Sequence, residues 1–315
     1  MPTDKILITG HRGLLGSAIV QELKNAGYNT LIVAARSELD LTDEAKTHRF
    51  LKEAKPDAVI HCAALVGGIQ ANLARPADFL EQNLRMQTNV IHGSHLAGVP
   101  TLIFFGSNCM YPSGAPQPMK EEDLLQGPME PSNLAYGTAK AAGFIECQTH
   151  CQQYGRNYIT LIPASLYGPH DNFDVNTCHV TPALLLRMHQ AKKLNEPEFK
   201  VWGTGKPRRE LLHSQDAARG VRLILEKGPQ TGPLNLGAGS DFTVAEIAEE
   251  IKKTVGYTGK LVFDTLKPDG SMRKLLDSSR IFNLGFKPQM SLADGLQQTY
   301  KWLLSGDKVR GVPSL

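Results

Sequence analysis

The chain has little charge of one sign. Its 34 Lys and Arg stand against 31 Asp and Glu, a net charge of +3. The basic residues are dispersed apart from short groups such as "KPRRE" at 206–210. That balance gives no electrostatic footprint for a polyanion, and no nucleic-acid partner is expected. Long apolar runs are missing too: none reaches the ~18 residues that cross a bilayer, so no membrane span is expected. The opening "MPTDKILITG" places a proline and an aspartate where a secretory signal would turn apolar.

Cysteine is sparse. The five thiols, Cys62, Cys109, Cys147, Cys151 and Cys178, are odd in number, and their spacing fits neither a zinc site nor a disulfide framework. A reduced, cytoplasmic protein without a metal is the expectation. Internal repeats and low-complexity segments are absent as well.

What is present is a rhythm. In the first half, short β-branched runs alternate with helical patterns. Strands are expected at 5–10, 29–35, 57–64, 101–106 and 158–164, and helices at 14–26, 42–54, about 75–97 and about 133–154. Such spacing predicts right-handed βαβ units in an α/β, Rossmann-type, doubly wound parallel sheet. After residue 165 the pattern becomes mixed. With 315 residues and ~150 per domain, two units are expected. Residues 1–165 would form the dinucleotide-binding domain. Residues 166–315 would form mostly a smaller mixed α/β substrate lobe, with the segment at about 205–237 returning to the first domain.

"ITGHRGLLGSAIV" puts Gly10, Gly13 and Gly16 between the first strand and the first helix. Glycines there allow a tight turn and close approach of a pyrophosphate. The helix N-terminus then offers unpaired N–H groups and partial positive charge to that anion. A dinucleotide is the expected ligand, held also by His11, Leu14 and Leu15. An acid usually grips the ribose at the end of the second strand, but here "VAARSELD" presents Arg36, and Arg12 lies inside the glycine turn. Two guanidinium groups suit a 2′-phosphate, so NADP(H) is expected rather than NAD. Asp40 and Leu41 would border the adenine.

"AYGTAK" places Tyr136 and Lys140 four apart, on one face of a helix. A tyrosine that protonates a reduced carbonyl needs its pKa of ~10 lowered, and a neighbouring ammonium can do that. Ser107, at a strand end about thirty residues earlier, can bind the same oxygen.

Together the glycine turn, the strand-end serine and the Tyr–Lys pair resemble the extended short-chain dehydrogenase/reductases. "GHRGLLGSAI", "AALVGGIQAN", "GSNCMYP", "QPMKEEDLLQGPMEPSN", "YGPHDNF", "HVTPALLLRMHQA", "WGTGKPRREL" and "FDTLKPDGSMRKLLD" resemble the GDP-L-fucose synthase family along nearly the whole chain. The resemblance implies an NADPH-dependent 3,5-epimerase-4-reductase acting on GDP-4-keto-6-deoxy-D-mannose, and a homodimer formed through the two long helices. It makes Cys109 and His179 the acid/base pair of epimerisation, with Ser107, Tyr136 and Lys140 for reduction. It adds Ala63, Ala64, Phe105, Gly106, Asn108, Pro163, Ala164, Ser165, Leu166 and His179 to the cofactor contacts. Arg187, Trp202, Arg209 and Asp269 are assigned to the GDP-sugar. Departures are Ser165 where the family usually has Asn, Asn108 where it has a second serine, "LLHSQD" for "FLHVDD", and "AYGTAK" for "PYAIAK". They leave room for a relative acting on another GDP-4-keto sugar of colitose or deoxyheptose type. A non-catalytic NADP-binding protein is a more distant alternative.

Overall fold

The computed structural model describes residues 4–230, 232–267 and 269–306. Pro268 of the expected "KPDG" turn lies outside them. The elements run β1 (Lys5–Thr9), α1 (Leu14–Asn25), β2 (Thr30–Ile32), α2 (Glu44–Ala54), β3 (Ala58–His61), α3 (Ile69–Ala74), α4 (Pro76–Leu96), β4 (Thr101–Phe105), α5 (Leu134–Tyr154) and β5 (Asn157–Pro163). They continue with β6 (Ser165–Tyr167), α6 (Val180–Lys193), β7 (Glu198–Trp202), β8 (Arg208–Arg209), β9 (Leu211–His213), α7 (Ser214–Lys227) and β10 (Leu234–Leu236). The last are β11 (Phe242–Thr243), α8 (Val244–Val255), β12 (Lys260–Asp264), β13 (Arg273–Lys274), α9 (Ser279–Asn283) and α10 (Leu292–Leu304).

Six strands form one sheet in the order β10-β5-β4-β3-β1-β2, and every pair is parallel. Both faces are covered, so the strands are apolar at successive positions rather than at alternate ones. Ile6 and Ile8 of β1 join Ile60, Ile103 and Ile159 in a cluster on one face, with α1 and α7. Leu7 between them joins Val59, Leu102 and Phe104 on the other, against α2, α4 and α5. Burying each such side chain contributes roughly 1.5–3 kcal/mol. A third cluster lies in the later half, where Phe199 and Val201 of β7 meet Leu185, Met188, Ile247, Ile251 and Leu296.

β2 is shorter than the pattern of 29–35 suggests, and β3 stops at His61 instead of reaching 64. In both cases the strand end peels away into the loops at the carboxyl edge. There the chain turns from β1 toward β3 on one side and β2 on the other. In parallel sheets that crevice is where ligands bind.

Candidate active site

The glycine turn fills the crevice. Gly10 has φ of +67°, and a Cβ there would lie 2.8 Å from the Ala63 nitrogen. A Cβ on Gly16 would collide with the Gly10 carbonyl oxygen. Both positions therefore demand glycine. Gly13 caps α1 without a side-chain bond, which leaves the first-turn N–H groups of Leu14 and Leu15 for an anion. Beneath the turn, Thr9 Oγ1 and His61 Nδ1 are 2.8 Å apart, and the same hydroxyl accepts from the Ala63 N–H at 3.3 Å. The cradle thus fits a dinucleotide pyrophosphate.

At its rim, Arg12 is exposed and the Arg36 side chain is 78% accessible, 3.9 Å from Asp40. Asp40 is occupied locally: its Oδ1 accepts from the Thr42 N–H and hydroxyl at 3.0 and 2.8 Å, which holds its carboxyl below the usual range. Leu41 follows, its carbonyl accepting from Asn89. Half-buried His11 is lowered by desolvation and then by Arg12.

The end of β4 brings together three of the residues expected to react, Ser107, Cys109 and Tyr136. Phe105 is buried, and a Cβ on Gly106 would press on Met110 at 2.9 Å. Ser107 Oγ accepts from the Cys109 N–H at 3.1 Å and caps the 3-10 turn of Asn108–Met110. Asn133 Nδ2 donates to Cys109 Sγ at 3.1 Å, and the thiol donates to Asn108 Oδ1 at 3.7 Å. α5 approaches this turn closely at Gly137, where a Cβ would sit 2.8 Å from the Cys109 carbonyl.

Tyr136 is hydrogen-bonded to Ser107, coupled to Cys109 electrostatically, and set edge-on to Phe79 at 6.4 Å. Here the structure corrects the expectation of a lowered phenol. Burial pushes Tyr136 up, Cys109 adds to the rise, and only Ser107 opposes it. Lys140 is 3% exposed, with Nζ 4.7 Å from the Phe104 centroid and 6.0 Å from that of Tyr136. Desolvation lowers it to about 8, against weak support from Cys62 and Cys147. Its ammonium is itself desolvated, lies 6.0 Å from the centre of the Tyr136 ring, and does not offset the burial of the phenol.

Ala63 and Ala64 follow β3, and Pro163 closes β5. Ala164 donates to the Leu236 carbonyl, and Ser165 to that of Glu210 at 3.2 Å. Leu166 pairs with Leu212. His179 precedes α6 as its N-cap residue. It is open to solvent yet crowded by protein, and desolvation lowers its imidazole. Its loop meets the α3 segment, since Gly68 donates to the Thr177 carbonyl at 2.8 Å. Gly67 faces both that carbonyl and Phe79, the ring beside Tyr136.

The remaining expected contacts form a second group in the later half. Trp202 is 52% exposed, with Arg187 and Lys267 each 5.6 Å from its ring. Arg187 also donates to the Lys200 carbonyl at 3.0 Å. Arg209 Nη1 donates to the carbonyls of Arg208 and Ser271 at 2.7 and 2.6 Å. Ser271 Oγ in turn donates to Glu130 at 3.5 Å. Asp269 accepts from the Thr204 N–H and hydroxyl at 2.9 and 2.7 Å, which lowers its carboxyl.

Three polar groups were not anticipated from sequence. Asn133 read as a helix start. Glu210 is 1% exposed, accepts from the Gly239 and Leu276 N–H groups, and is raised by burial to about 7. Asp171, 6% exposed, is raised by burial to about 7 as well.

The sequence pattern of the NAD dependent epimerase/dehydratase family matches residues 6–237. GDP-L-fucose synthase 1 of Arabidopsis thaliana is 48% identical over 300 residues, covering 95% of this chain and 93% of the relative. The GDP-L-fucose synthase of Escherichia coli is 44% identical over 321 residues, 99% of this chain and 100% of the relative. Among solved structures, a GDP-mannoheptose C4 reductase from Campylobacter jejuni with NADP bound superposes with a TM-score of 0.88. It is 39% identical and covers 96% of this chain and 99% of that one.

Proposed function

The chain belongs to the NAD dependent epimerase/dehydratase family and, within it, to the GDP-L-fucose synthases, and from that premise we infer its reaction. It is an NADPH-dependent enzyme that converts GDP-4-keto-6-deoxy-D-mannose to GDP-L-fucose by 3,5-epimerisation and 4-keto reduction. The observation that supports the residue assignment is the meeting of three groups at the end of β4: Ser107 Oγ accepts from the Cys109 N–H at 3.1 Å, and α5 presses Gly137, next to Tyr136, against the Cys109 carbonyl. A candidate proton-transfer group stands beside a candidate carbonyl clamp.

The glycine cradle of Gly10, Gly13 and Gly16 would hold the pyrophosphate, and Arg12 and Arg36 the 2′-phosphate. Lys140 would hold the ribose, and Phe105–Asn108 with Pro163–Leu166 the nicotinamide end. When bound, NADPH supplies hydride to carbon 4.

The chain's own groups manage the protons. The ketone at carbon 4 acidifies the protons at carbons 3 and 5 through an enolate. Cys109 as base and His179 as acid, acting on opposite faces, would invert each centre. Ser107 and Tyr136 would stabilise the enolate oxygen, and Tyr136 would then protonate the alkoxide. Arg187, Trp202, Arg209 and Asp269 would grip the GDP portion, with Trp202 offering a stacking face.

The same reading includes the division at residue 165, a homodimer and a cytoplasmic setting. α4 and α5 lie along each other and leave Leu134 and Ile145 exposed, which supports a helical interface. The described cysteines are all unpaired. Among the described residues no helix is long and apolar enough to cross a membrane.

A second reading is a C4 reductase for a GDP-4-keto-heptose, favoured by the 39% identity to the Campylobacter enzyme. NADPH oxidation with GDP-4-keto-6-deoxy-D-mannose in heavy water, with the product identified by NMR, separates the two. GDP-L-fucose deuterated at carbons 3 and 5 supports the first reading. Turnover without deuterium removes the epimerase half, and no turnover moves the test to the heptose substrate.

A further inference from the structure

Asn133 occupies the N-cap of α5. Asparagine is among the best residues for that place because its side-chain oxygen accepts from an N–H of the first turn. Asn133 does not do this: it makes no capping bond. Its Nδ2 points to the Cys109 sulfur at 3.1 Å, and its Oδ1 is buried without a partner. The chain forgoes a cap worth about 1 kcal/mol and leaves a carbonyl unsatisfied, both for one bond to sulfur. Local rules broken in this way cluster at working sites.

We propose that Asn133 is the positioning residue of the Cys109 thiol, holding the sulfur and stabilising its thiolate. The sulfur lies between two amides. Asn133 donates to it in either protonation state, and more strongly to the anion. Asn108 Oδ1 accepts only from the S–H form. A group that must both remove and return a proton is thus given a partner for each state, while Ser107 fixes its backbone. The titratable group that faces the sulfur is Tyr136, whose phenolate would oppose the thiolate. Lys140 is coupled to Cys62 and Cys147 instead. Asn133 is then the donor that favours the thiolate.

This rests on the catalytic reading of Cys109, so the test uses a measurement that needs no sugar. The pH dependence of Cys109 alkylation by iodoacetamide is followed by peptide mass spectrometry in wild type, Asn133→Ala and Asn133→Asp. NADPH binding reports that each variant is folded. Aspartate is an equally good cap and suits the helix dipole, so the Asp variant keeps the helix start, and a purely structural Asn133 predicts unchanged alkylation in the folded Ala variant. Our proposal predicts a midpoint raised by about one pH unit in the Ala variant and further in the Asp variant, where a carboxylate opposes the thiolate. Deuterium exchange at carbons 3 and 5 should slow about tenfold at neutral pH in step with that shift. An unchanged midpoint in the folded Ala variant overturns the proposal. A raised midpoint without any sugar exchange in wild type would uphold it and sink the epimerase assignment.

Discussion

The Lys140 ammonium stands 4.7 Å from the centre of the Phe104 ring, with thiols as its ionisable neighbours. A cation in that setting opposes folding. Its pKa of about 8 lies below the ordinary lysine value of 10.5. The unfolded chain therefore binds more protons between those pH values, and stability rises with pH across that window. Below pH 8 the penalty is fully present, at about 3 kcal/mol. Lys140→Met should accordingly raise the melting temperature at pH 7 and abolish reduction. The stability difference from wild type should shrink between pH 8 and 10.5. Calorimetry at pH 7 and 10 checks this. A variant less stable than wild type at pH 7 would show that the ammonium has a favourable partner.

Tyr136→Phe keeps the ring that meets Phe79 edge-on and removes the hydroxyl bonded to Ser107. NADPH affinity should stay within a few-fold, while reduction falls by at least about 10³-fold, the scale of a lost acid catalyst. Stopped-flow absorbance of NADPH measures the second, and fluorescence titration the first. Reduction at the wild-type rate would remove Tyr136 from the proton-donor role.

Cys109→Ser retains a hydrogen-bonding group next to Asn133 and raises its pKa far above a thiol's. Exchange of the carbon 3 and 5 protons with solvent should fall at least about 10²-fold, with cofactor affinity unaltered. Proton NMR in heavy water follows the exchange. Normal exchange would return Cys109 to the role of a small half-buried side chain.

Arg36 is mostly in solvent and pairs only loosely with Asp40, so Arg36→Ala should leave the fold intact. Losing a charge-assisted bond to a 2′-phosphate should cut the preference for NADPH over NADH by about 10- to 100-fold. The ratio of the two kcat/KM values reads it. An unchanged ratio would transfer the phosphate to Arg12 or elsewhere.

The βα alternation was legible because both sheet faces are buried, so each strand is a short apolar run set between helical patterns. Gly10 and Gly16 were legible because nothing else fits their turn. α3 was not: six residues from Ile69 to Ala74 follow a Gly-Gly pair, too short to show a helical period. α9, β11 and β13 were missed for the same reason. The Tyr–Lys spacing placed both residues on one helix, but not that burial would raise the phenol and lower the ammonium. That depends on burial against rings from other elements, Phe104 of β4 beside Lys140 and Phe79 of α4 beside Tyr136. Asn133 lay only at the start of an expected helix, and only the fold brings in a sulfur 24 positions away.

The bond from Ser271 to Glu130 has a wider reach than its 3.5 Å suggests. Ser271 is the residue whose carbonyl anchors Arg209, and Glu130 is the N-cap of the short 3-10 turn Pro131–Asn133 that ends at the thiol's amide donor. In the proposed assignment, with Arg209 on the nucleotide and Cys109 in the acid/base step, this chain of bonds joins the two ends of the substrate site. Removing the nucleotide from the sugar would cost turnover and affinity together, because the handle tightens the tool.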